Sequence, residues 1–155
     1  MFTVKDMNRV LGEIKGLRED KKSVFSPSKS VLAYRLSKKN SQHRGAIIEK
    51  MIRDRFIMQG KRVRYIGGSN SFDMLVDGER VEIKSSLPQV IPTKKGHTLF
   101  YRFQNIKTKY FDKIVLVYVS PNGLRVKTFT KKTMIKMLRK SKYYANGKMY
   151  ACVAK

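Results

Sequence analysis

The sequence predicts an α/β domain built on one mixed β-sheet of about five strands with flanking helices, and three observations carry this reading. Apolar residues recur at helical spacing up to residue 60, switch to period two between 61 and 84, and return to helical spacing only after 130. Asp77-Gly78 separates two alternating segments and is a strong two-residue hairpin turn, so the strands beside it are antiparallel neighbours. "KIVLVYV" at 113–119 is apolar at nearly every position, as expected of a strand buried on both faces. Helices, three strands, a loop region, two strands and a helix then follow one another along a single sheet.

At 155 residues, with 41% hydrophobic and 30% charged side chains, the chain has the size and apolar content of one folded unit. We read 1–155 as a single domain: a basic helical N-terminal extension over 1–39, a core over 40–140 and a C-terminal tail over 141–155. Val4, Met7, Val10, Leu11 and Ile14 predict a first helix over 3–16, between Thr3 as a cap and Gly16 as a stop. Ser26 before Pro27 predicts a second, short and basic, running to Lys38. The longest helix is expected from a cap at Asn40 or Ser41 to a stop at Gly60, with Ile48, Ile52 and Phe56 as its buried stripe.

"RVRYI", "FDMLV" and "RVEIK" predict three strands. Two prolines and a glycine make 87–99 a loop, and "FYRFQNIKTKY" after it fits strand or helix equally. "SPNG" turns the buried strand at 113–119 into "LRVKTF", and a last helix starts from Thr130 as its cap.

The formal net charge of +24, from thirty-five Lys and Arg against eleven Asp and Glu, is a self-repelling field that a polyanion would relieve. Nucleic acid is the expected partner, with Lys94, Lys95, Lys107, Lys109, Lys131 and Lys132 as candidate contacts. A solvated basic face is the ordinary meaning of such runs. No segment reads as a membrane span, signal peptide or long basic amphipathic helix, and a membrane surface is the weaker partner. One cysteine, Cys152, and two separated histidines, His43 and His97, give neither a disulfide nor a zinc spacing, which points to an intracellular setting, cytoplasmic or nucleoid-associated.

In so basic a chain, Asp73, Asp77, Glu79 and Glu82 fall within ten residues. With Asp77 and Gly78 as the loop, Val76 pairs with Glu79, and extending that register sets Asp73 opposite Glu82. Lys84 shares the face of Glu82, whereas Phe72, Met74, Val81 and Ile83 form an apolar face. Facing carboxylates lie roughly 5 Å apart and repel unless a cation separates them. A solvated hairpin edge is one reading. A site for a divalent cation is the other, favoured because the pair lies away from the turn. All-oxygen donors suit Mg²⁺ better than zinc. Asp77 and Glu79 read as turn and surface residues.

"FD", eight residues and "EIK" resemble the signature of the PD-(D/E)XK nuclease superfamily, with Phe72 where that signature usually has proline. The resemblance extends over about residues 40–140 and implies a restriction-endonuclease-like core. It implies that Asp73, Glu82 and the backbone carbonyl of Ile83 hold Mg²⁺, with Mn²⁺ able to substitute, and that Lys84 positions or activates the attacking water. Glu49 would be the helix glutamate that helps bind metal in such enzymes, or else a partly exposed residue paired with Arg53. Gln104 resembles a polar residue placed beside the metal, or is a surface glutamine. The implied activity is hydrolysis of phosphodiester bonds in double-stranded DNA, site-specific in the restriction or homing manner, by a homodimer or higher homo-oligomer. A Holliday-junction resolvase-like nuclease and a non-catalytic basic nucleic-acid-binding protein are the alternatives.

Overall fold

The computed structural model describes residues 24–66, 72–140 and 150–153. The helix expected over 3–16, the glycines at 67–68 and the tyrosines at 143–144 lie outside them.

Five strands form the central sheet: β1 (Val63–Tyr65), β2 (Met74–Val76), β3 (Glu79–Ser86), β6 (Lys113–Ser120) and β7 (Gly123–Thr130), in the order β1-β2-β3-β6-β7. The sheet is mixed, because β3 and β6 run parallel while every other neighbouring pair is antiparallel. The hairpin register is the one its turn dictates, with Met74 opposite Val81 and Val76 opposite Glu79. Asp77 and Gly78 both take positive φ, at 49° and 83°, as that turn requires.

Helix α1 (Val31–Ser37) starts later than Ser26-Pro27 suggested. Ser30, not Ser26, is the residue whose hydroxyl accepts an N–H of the first turn, from Ala33 at 3.2 Å, while Ser26–Ser30 form a turn of their own. Helix α2 (Ser41–Met58) opens as expected, with the Asn40 side chain accepting the His43 N–H at 2.9 Å, and gives way to Gly60 at φ 79°. Ile48 and Ile52 are buried, and Phe56 packs against the same cluster. Helix α3 (Lys131–Lys140) is capped by Thr130, whose hydroxyl accepts the Thr133 N–H at 3.2 Å.

The loop expected over 87–99 is instead a β-hairpin. Strand β4 (Gln89–Thr93) pairs with β5 (Gly96–Phe103), and β8 (Tyr150–Val153) adds to β5 in a second, antiparallel sheet ordered β4-β5-β8. Pro92 is tolerated because β4 is the edge strand of that sheet, and Gly96, at φ 123°, follows the Lys94-Lys95 turn. A short 3₁₀ turn (Thr108–Tyr110) leads from β5 into β6.

Each face of the central sheet has its own core. On one, Ala33, Leu36, Ile48 and Ile52 cover Met74, Val81, Ile83, Val115 and Val117. On the other, Tyr101, Phe103, Phe111, Met134 and Leu138 cover Ile114, Leu116 and Tyr118. Tyr118 meets Tyr101 and Phe103 edge-on at 5.1 and 5.0 Å between ring centres. The near-continuous burial of β6 is therefore the consequence of two covering layers.

Candidate functional site

The pairing of β2 with β3 stops at Met74 and Val81, while β3 continues to Ser86. From Glu82 onward β3 therefore has an edge that β2 does not cover. Asp73 closes the first step of it. Its N–H donates to the Val81 carbonyl at 3.0 Å, and its Oδ2 accepts the Ile83 N–H at 2.7 Å. The regular ladder thus does not reach the Asp73–Glu82 pair that the extended register suggested; Asp73 turns its carboxylate along β3 instead. Because the N–H and C=O of one residue in an extended strand share an edge, the Ile83 carbonyl faces the same open side.

Glu49 arrives from α2, which lies over the Met74–Ile83 face. Tyr65 of β1 donates to its Oε2 at 3.3 Å, and Asp73 lies near enough for its charge to act on the Glu49 carboxyl. Arg53, the alternative partner, instead contacts Asp54 at 3.5 Å and lies over the Tyr65 ring at 5.9 Å. Lys84 Nζ reaches Glu82 Oε1 at 3.3 Å. Glu49, Asp73, Glu82 and Lys84 accordingly form one electrostatic group, drawn from a helix and two strands.

The group is short of positive charge. Burial and the nearby Asp73 push the Glu82 carboxyl up to about 7, even with Lys84 beside it. Burial also raises Glu49, with Asp73 adding to the effect. Asp73 is raised by burial and held back by the Ile83 N–H and by Lys84.

Among the described residues, no three His, Cys, Asp or Glu side chains are grouped closely enough to enclose a metal by themselves. The donors at hand are carboxylate oxygens and a backbone carbonyl. That set fits a hard cation that keeps much of its water, as Mg²⁺ does with one or two carboxylates, and does not fit zinc. The unbalanced negative charge is what such a cation would offset.

The remaining expected residues lie elsewhere. Gln104 is exposed and follows β5; with its amide oxygen turned to Arg102 it accepts from Nη2 at 3.0 Å and Nε at 2.9 Å. Lys94 and Lys95 form the exposed tip of the β4–β5 hairpin. Lys109 and Lys131 flank the Arg80–Asp112 ion pair, through Arg80 Nη1 to the Lys109 carbonyl at 3.5 Å and the Lys131 N–H to the Asp112 carbonyl at 2.9 Å. Lys107 and Lys132 are their exposed chain neighbours. The candidate lysines thus fall into two groups. Asp77 accepts the Arg62 N–H at 2.8 Å and Glu79 pairs with Lys113 at 2.9 Å, which fits turn and surface roles. Tyr65 is the contributor that sequence reading missed, because no local pattern ties a β1 tyrosine to a glutamate sixteen residues earlier.

No protein-family model and no curated protein matches this chain. Among solved structures, the chain is similar to a bacterial homing endonuclease, I-Ssp6803I, with a TM-score of 0.50 and 22% sequence identity over 75% of this chain and 77% of that one. At that identity the likeness is one of fold. Among the described residues, no helix is long and apolar enough to cross a membrane.

Proposed function

We propose that this protein is a Mg²⁺-dependent endonuclease of the PD-(D/E)XK type, hydrolysing phosphodiester bonds in double-stranded DNA. The observation that carries the reading is the meeting of Glu49, Asp73, Glu82 and Lys84 at the open edge of β3, in a chain with so few acids. A fold shared with a homing endonuclease supports it, and so does the charge of +24.

Asp73, Glu82 and the Ile83 carbonyl would hold the cation, with Glu49 assisting directly or through water. A bound Mg²⁺ supplies Lewis acidity toward the phosphate and lowers the pKa of water. Lys84, which pairs with Glu82, would supply its ammonium to the attacking water and the developing negative charge. The Asp73–Ile83 hydrogen bond fixes the carboxylate relative to the strand that carries Glu82 and Lys84, so the group is set before substrate arrives. Site-specific cutting of both strands by a homodimer completes the proposal, since one such site per chain addresses one strand at a time.

Supercoiled plasmid incubated with Mg²⁺ tests the reading: relaxed and linear products are expected with the metal, and none with chelator. Binding without cleavage under every divalent metal would instead identify a non-catalytic nucleic-acid-binding protein.

A further inference from the structure

Beyond the carboxylate group, β3 runs on through Ser85 and Ser86 into a cleft of about 630 Å³, within the ~300–1,000 Å³ typical of small-molecule sites. Three cations line it, Lys38, Arg44 and Arg102, and no carboxylate does. They come from the end of α1, the first turn of α2 and β5, and Ser86 ties the layers together. Its hydroxyl accepts the Arg102 N–H at 3.1 Å and donates to the Leu87 carbonyl at 2.9 Å.

Arg44 is the distinctive group. Its Nη1 donates to the Lys39 carbonyl at 3.0 Å, which anchors the guanidinium, yet its Nε is buried with no acceptor among the described residues. The Gln89 Oε1 is likewise buried without a donor. An unmet buried polar atom is destabilising, and a ligand supplying the missing partner removes that cost. Phe25, Leu87 and Pro88 add apolar wall to the same space. Cations, one unmet donor, one unmet acceptor and apolar wall together match a nucleotide, which carries an anion, polar edges and a flat ring. Ser86 lies three residues beyond Ile83, or ~10 Å at the rise of a strand, and this corresponds to no more than about three nucleotides along a DNA strand.

We propose that this cleft holds one nucleotide unit of the substrate strand, its phosphate among Lys38, Arg44 and Arg102. Resting on the nuclease reading, the inference gives the cleft the task of setting the position of the strand relative to Asp73 and Glu82.

The test is an NMR titration of the protein in chelator with thymidine 3′,5′-bisphosphate, following arginine Nε–H signals, with the Arg44 signal assigned by its loss in Arg44→Lys. Saturable movement of that signal is expected. Arg44→Lys and Arg102→Gln should each weaken bisphosphate binding by about tenfold, the loss of one charge-assisted hydrogen bond, while Lys136→Gln, at an exposed position on α3 away from the cleft lining, leaves it unchanged. A short DNA duplex should displace the bisphosphate, as a strand subsite requires; failure to displace it would overturn the inference in favour of a free-nucleotide site. An unmoved Arg44 signal, or equal weakening by Lys136→Gln, would also overturn it. Should Arg44→Lys fail to fold, Arg102→Gln and the displacement arm decide the matter. Plasmid cleavage reports on the nuclease reading separately, because the titration contains no metal.

Discussion

Glu82 carries the sharpest consequence at the scale of single residues. Its carboxyl sits near 7 in the folded protein against about 4.5 for a free glutamate, so the folded state binds the extra proton between those values. The contribution of Glu82 to stability is therefore full below about 4.5 and falls as the pH rises through about 7, by no more than about 3 kcal/mol. Thermal melts in chelator should show a larger fall in the parent than in Glu82→Gln, where the raised Glu49 and Asp73 carboxyls still titrate. Added Mg²⁺ should raise the parent's Tm at pH 7.5 by binding the folded state, and leave Glu82→Gln nearly unmoved. An equal response of the two proteins would remove Glu82 from the cation site. Lys84 has a different signature. Lys84→Ala should bind DNA as the parent does while its single-turnover rate falls by about a hundredfold or more, because its donor is needed in the transition state. Weaker binding with an intact saturated rate would make it an anchor for phosphate only.

Elements decide how much of this was legible beforehand. Helix α2 and the β2–β3 hairpin could be read because their signals are local: an Asn40 cap, a Gly60 stop and an Asp77-Gly78 turn. The same register led to Asp73, Glu82 and Lys84, but not to the turn of Asp73 toward Ile83, which depends on β2 ending at Met74. The β4–β5 hairpin was missed because Pro92 counts against a strand until one knows that β4 lies at a sheet edge. The contacts of Glu49 with Asp73 and Tyr65 are tertiary, and helical spacing alone left Arg53 as good a partner. The parallel β3–β6 pairing holds the site-bearing strand to the buried centre of the sheet. Leu116, fully buried on β6 beside Lys84 in that pairing, should cost about 2–5 kcal/mol when cut to alanine, measured by urea unfolding.

For the whole molecule, charge and copy number matter most. A duplex held by many lysines and arginines must bind with a steep inverse dependence on salt, and Lys107→Gln should flatten the slope of log K against log salt by about one if that lysine meets a phosphate. Sedimentation with a duplex target should show two protein copies on each DNA, whereas one copy cutting both strands together would remove the need for a dimer. The central claim, that the acids at the open edge of β3 make this basic protein a metal-dependent nuclease, is tested most directly by one assay. Parent, Asp73→Ala and Glu82→Ala are compared for plasmid cleavage in Mg²⁺, with DNA binding measured alongside in chelator. The account predicts cleavage by the parent alone and binding by all three; cleavage at the parent's rate by either variant would contradict it.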